Sequence, residues 1–67
     1  MSRLVDARGL RCPWPVLRLA RAMREARDVT ILADDPAAPA EIAALAGANG
    51  WKISSIPDGF HVERAEA

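Results

Sequence analysis

The run GLRCPWPVLRLARAMREARDVTILADDP, residues 9–36, changes its periodicity twice, and those two changes decide the fold. From Pro13 to about Arg27 the apolar residues recur at helical spacing. Val16, Leu19, Ala20, Met23 and Ala26 fall on one face, with Arg18, Arg21 and Glu25 opposite. VTILA (29–33) is then a continuous apolar, β-branched run, the pattern of a central strand paired on both sides. Asp35 before Pro36 is pushed to extended geometry, which breaks the chain there.

Upstream, RLVDAR (3–8) reads as a strand ended by Gly9. Downstream, a second helix starts near Pro39, a good first-turn residue. Glu41 sits early in it, where a negative charge favours the positive helix end. Ile42, Leu45 and Ala46 form its buried stripe, and Asn49-Gly50 is a fitting stop. WKISSI (51–56) and FHVERA (60–65) flank Pro57-Asp58-Gly59, a hairpin turn signal. Phe60 and Val62 alternate with His61 and Glu63, as a half-buried strand requires. The order β-α-β-α-β-β predicts an α/β (α+β) two-layer sandwich. Its four-stranded sheet is mixed, both helices cover one face, and the first crossover is right-handed. Residues 1–67 form a single domain, without repeat or linker.

A chain of 67 residues supports one modest core. Domains of this size often need a disulfide or metal staple. Cys12 is the only cysteine, which excludes an internal disulfide, and His61 with no cysteine nearby makes no recognisable zinc site. Stability must come from apolar packing, with Leu, Ile, Val and the two tryptophans filling a thin, alanine-rich core. The opening MSRLVDARGL carries Arg3, Asp6 and Arg8 and no apolar segment, so it does not read as a secretory signal. No stretch reaches membrane-spanning length. One reduced thiol suits a cytoplasmic protein.

Net charge is zero but unevenly spread. Residues 1–27 carry seven arginines against Asp6 and Glu25, a net of +5, and residues 28–67 carry the balancing −5. The asymmetry steers a charged partner toward the basic half, or else marks an ordinary solvated helix face.

The cysteine stands between Arg11 and Pro13, with Pro15 two residues on. With Cys12 as N-cap, Pro13 and Pro15 remove two of the amide donors that a first helical turn leaves unpaired. Trp14, preceding Pro15, is disfavoured in helical geometry, so the helix could instead begin at Pro15, with Cys12 in a rigid lead-in turn. Either placement sets the sulfur near the positive end of the helix dipole. With Arg11 adjacent, that predicts a lowered thiol pKa and a presented nucleophile. The competing reading is a small buried hydrophobe, although the residues around Cys12 are turn formers and charges. A protease-type site needs a base, and His61, the only histidine, lies on a C-terminal strand where nothing in the sequence brings it to Cys12. Dithiol exchange needs a second cysteine. One-thiol group transfer remains, and a persulfide suits it.

At these residues the sequence resembles the TusA/SirA family of small sulfur-carrier proteins. The family signature is matched by Asp6, Gly9, Leu10, Cys12, Pro13 and Pro15, and ADDP (33–36) with Glu41-Ile42 looks like its second landmark. The resemblance covers nearly the whole chain. It implies that Cys12 accepts sulfane sulfur as a persulfide from a cysteine desulfurase or rhodanese-type donor protein. The sulfur then passes to an acceptor protein, for tRNA thiolation, sulfur oxidation or cofactor synthesis. Pro13 and Pro15 become the scaffold of the carrier, and Asp34 and Asp35 acidic positions of structural or partner-facing role. No bound cofactor, metal, membrane or direct nucleic-acid partner is implied, and a monomer is expected. Two departures stand out. No proline follows Ile42, and Trp14 fills the variable slot beside the thiol, where it either shapes docking or packs on Arg18 or the core edge.

Two other classes compete. A thiol-independent binding or regulatory module would use the motif only to start a helix. Nucleic-acid binding would use the basic helix, but the strands offer few aromatics for stacking.

Overall fold

The computed structural model describes residues 2–65. The chain runs β1 (Ser2–Asp6), α1 (Trp14–Glu25), β2 (Asp28–Leu32), α2 (Ala38–Asn49), β3 (Lys52–Ile56) and β4 (Gly59–Glu63). The sheet order is β1-β2-β4-β3, with β1 parallel to β2 and both other pairings antiparallel. This is the mixed four-stranded α+β fold in the order the periodicity predicts. The β-branched run of β2 is paired on both sides, and its ends lie one residue earlier than VTILA.

Register sorts the side chains. Val29 lies opposite Val62, and Ile31 opposite Phe60. These residues join one core cluster with Leu19, Ala22 and Met23 of α1 and Ala38 and Ile42 of α2. Thr30, His61 and Ser54 occupy the alternate positions, pointing to the other face of the sheet. There His61 Nε2 lies 3.2 Å from Asp28 Oδ1. Leu19, Met23, Ile31 and Ile42 are the largest fully buried side chains. The tryptophans do not fill the core as expected: Trp51 packs partly against it, and Trp14 is 58% exposed. On α1 the buried stripe is Pro15, Leu19, Ala22 and Met23, with Val16 and Ala20 only half-buried at its border.

The last hairpin closes tightly. Pro57 and Asp58 form the turn, and Asp58 takes the left-handed conformation at φ 64°. A Cβ on the next residue, Gly59, would stand 1.9 Å from the Ile31 carbonyl oxygen. Only glycine lets β4 begin this close to β2. The Asp58 carbonyl accepts the Ala33 amide at 3.0 Å, pinning the turn to the end of β2.

Candidate functional site

Because β1 and β2 are parallel neighbours, the loops that leave them, 7–13 and 33–37, emerge at the same end of the sheet. The first loop begins with Ala7, fully buried, its amide donating to the Leu32 carbonyl at 2.7 Å. Gly9 then turns the chain at φ 84°, in the left-handed region that a side chain disfavours. Leu10 packs partly against the core. Arg11 is exposed, and its carbonyl accepts the Trp14 amide at 2.8 Å. The Cys12–Pro13 peptide bond is cis.

The helix therefore starts differently from either expectation. Pro13 is the N-cap, Trp14 the first helical residue and Pro15 the second, and no side chain caps the helix. Trp14 is thus helical although it precedes Pro15, and its amide is engaged in the lead-in turn. Cys12 stands outside the helix, exposed, in that turn.

The second loop holds the first in place. Asp34 Oδ1 accepts the Gly9 amide at 2.9 Å, and Asp35 Oδ2 accepts the Cys12 amide at 2.7 Å. Asp35 also shapes the start of α2, its carbonyl accepting the Ala38 amide at 2.9 Å and its Oδ1 the Ala37 amide at 3.5 Å. Both aspartates thus brace the turn by accepting backbone amides that it leaves free. Asp6 has a local role: its carboxylate is gripped by Arg8 through Nε and Nη2, each at 2.9 Å, and its pKa falls to about 2.

The thiol itself faces carboxylates. Cys12 Sγ–H donates to Glu41 Oε2 at 2.6 Å. That bond, then desolvation, then the charges of Glu41 and Asp35 push the thiol above its ordinary pKa. This corrects the expectation from sequence. The helix end and Arg11 do not set the electrostatics of Cys12; the acids of the second loop and of α2 do. The sequence marks Glu41 as a charge at a helix start and, with Ile42, as part of the second family landmark, without linking it to the thiol. The signal that finds it is topological, since the first turns of two helices following adjacent parallel strands must meet. His61 takes no part, being engaged with Asp28 on the far face.

The outer side of α1 and β1 forms a surface groove lined by Trp14, Leu17, Arg18, Arg21 and Val5, its Trp14 wall standing two residues past Cys12 in the chain. Leu17 is half exposed. Arg3 and Glu25 pair across the groove. Trp14 therefore lies on an open surface and not against the core. Among the described residues no group of His, Cys, Asp and Glu could hold a metal ion, and no helix is long and apolar enough to cross a membrane.

Comparison with known proteins agrees with this geometry. The family model described as Sulfurtransferase TusA matches residues 3–63. A protein of Archaeoglobus fulgidus named "Putative sulfur carrier protein" is 44% identical over 52 residues, covering 73% of this chain and 68% of its own length. The matched span runs from β1 to the end of β4 and contains the cysteine turn, its acidic brace and Glu41, so the chain belongs to the TusA sulfurtransferase family.

Proposed function

We propose that this chain is a sulfur carrier that holds sulfane sulfur as a persulfide on Cys12. One observation carries the reading. The sole cysteine is exposed on a turn that prolines stiffen and two aspartates tie down, so its sulfur is presented and fixed at once. A protein persulfide, of the kind a cysteine desulfurase or rhodanese-type donor bears, gives up its outer sulfur to Cys12. The S–S bond of the donor breaks, a new S–S bond forms at Cys12 Sγ, and the donor keeps a thiol. Nothing is oxidised or reduced overall. The reverse chemistry hands the sulfur to an acceptor protein, in tRNA thiolation, sulfur oxidation or cofactor synthesis. No resident cofactor is needed, because the transient persulfide is itself the carried group.

The groove walled by Trp14, two residues past Cys12, supports this reading. Trp14 and Leu17 offer apolar contact, and Arg18 and Arg21 favour an acidic partner surface. Transient encounters of this kind are small and charge-steered. The protein acts in the cytoplasm as a monomer that meets donor and acceptor in turn.

Intact mass tests the proposal, after incubation with a cysteine desulfurase, pyridoxal phosphate and free cysteine without reductant. The expected result is a gain of one sulfur atom, reversed by reductant and absent in Cys12→Ser. If neither this donor nor a rhodanese-type or thiosulfate donor modifies a Cys12 that iodoacetamide still alkylates, the chain is a thiol-independent binding module instead.

A further inference from the structure

We infer that Glu41 is the proton acceptor of sulfur loading, taking the Cys12 thiol proton as Sγ attacks the donor. This inference rests on the carrier reading above and adds a second reacting residue to it.

Two observations of geometry carry it. Glu41 Oε2 already accepts the thiol hydrogen at 2.6 Å, within reach for direct proton transfer without an intervening water. The other oxygen, Oε1, is buried and has no hydrogen-bond partner. A buried carboxylate oxygen without a donor pays a desolvation cost, and a proton arriving at Oε2 relieves it. Among the described residues no basic side chain is bonded to Glu41, whereas Asp6 and Glu25 are each held by an arginine. Asp34 and Asp35 are occupied by backbone amides. Glu41 is thus the acid of the site left free to exchange a proton with sulfur. The groups facing the thiol are Glu41 from α2 and Asp35 from the preceding loop.

The step balances. The Sγ–H bond breaks and its proton passes to Glu41 Oε2. The sulfur electron pair forms the new S–S bond to the outer sulfur of the donor persulfide. The donor S–S bond breaks, and its electron pair leaves on the inner sulfur as thiolate. That thiolate then takes the proton from Glu41. The carboxylate is regenerated, and no oxidant or reductant enters. At rest the same arrangement holds the thiol protonated and slow toward general electrophiles. Reactivity is released only when an acceptor for the electron pair arrives in line.

Two reactions on one thiol test this, because Glu41→Gln moves them in opposite directions. Alkylation by iodoacetamide, followed against pH, reads the thiolate alone. Removing the carboxylate charge shifts that titration to lower pH, and alkylation at pH 7 speeds up. Sulfur loading from glutathione persulfide, followed by rapid quench and intact mass, needs the proton acceptor. It slows by roughly tenfold or more in Glu41→Gln. Glu41→Asp, which keeps a carboxylate, loads faster than Glu41→Gln. A purely electrostatic role predicts loading that speeds up in step with alkylation, and that result overturns the inference while leaving the carrier intact. Wild-type protein that takes up no sulfur from this or any protein donor overturns both.

Discussion

The loop after β1 and the loop after β2 leave adjacent parallel strands and lead into helices of equal length, yet they have opposite chemistry. The first supplies the nucleophile and little else. Its prolines carry no amide hydrogen, its helix has no side-chain cap, and its turn depends on Gly9 at positive φ. The second carries no nucleophile and supplies what the first lacks: Asp34 and Asp35 for its free amides, and Glu41 just beyond for its thiol. Reactivity and support are thus split between two loops, and neither makes a site alone.

Three substitutions test that division, in decreasing order of effect. Asp35→Ala removes a charged acceptor shared by the Cys12 amide and the start of α2, so both loops lose a restraint. A hydrogen bond to a charged group is worth about 1.5–3 kcal/mol. In a domain of this size that lowers the melting temperature by roughly 10 °C. The thiol titration also moves to lower pH, because one of the charges that raises it is gone. A melting temperature unchanged from wild type would show that the second loop does not brace the first.

Gly9→Ala tests the first loop from within. Nothing lies within 4 Å of an added Cβ, so the cost is purely conformational. It is about 1 kcal/mol for a side chain in the left-handed region, read as a smaller drop in the same thermal melt. A larger loss than that of Asp35→Ala would reverse the assignment of support to the second loop.

Asp6→Asn has the smallest effect and a distinctive pH dependence. The Arg8 contact lowers the carboxyl to about 2 when folded. Its contribution is fully present above the ordinary carboxylate pKa near 4 and is lost as pH falls from about 4 through 2. The wild type therefore loses stability relative to Asp6→Asn across that acid window, and the two converge below it. At neutral pH the exposed pair contributes little, and the difference between them is slight.

Much of this architecture is legible in the sequence because periodicity is local. Leu19 and Met23, four apart, predict α1, and the β-branched run predicts a doubly paired β2. Pro57-Asp58-Gly59 predicts the hairpin, and Cys12 stands out by being alone. What the sequence conceals is set by contacts between distant residues. The side chain that receives the thiol hydrogen lies 29 positions away. Its role requires knowing that β1 and β2 are neighbours and parallel. The same gap reverses the sign expected for the thiol pKa: Arg11 is adjacent in sequence, but Glu41 is adjacent in space. The expectation that Trp14 helps fill the core fails for a related reason, and the docking alternative keeps it exposed. Residue type argues for burial, whereas its position on the outer side of the first helical turn decides against it.

The register of β1, β2 and β4 has a practical consequence. Ser2 lies opposite Asp28, and Asp28 opposite Glu63, so the first and last strands have their outer ends side by side at one rim of the sheet. The sulfur sits past the other rim, where β1 ends at Asp6. Four residue rises along β1 separate the two rims by about 13 Å. A fluorophore or other group attached at the outer end of β1 or β4 is therefore held away from the thiol. The carrier can be immobilised or tethered from behind with its sulfur facing outward.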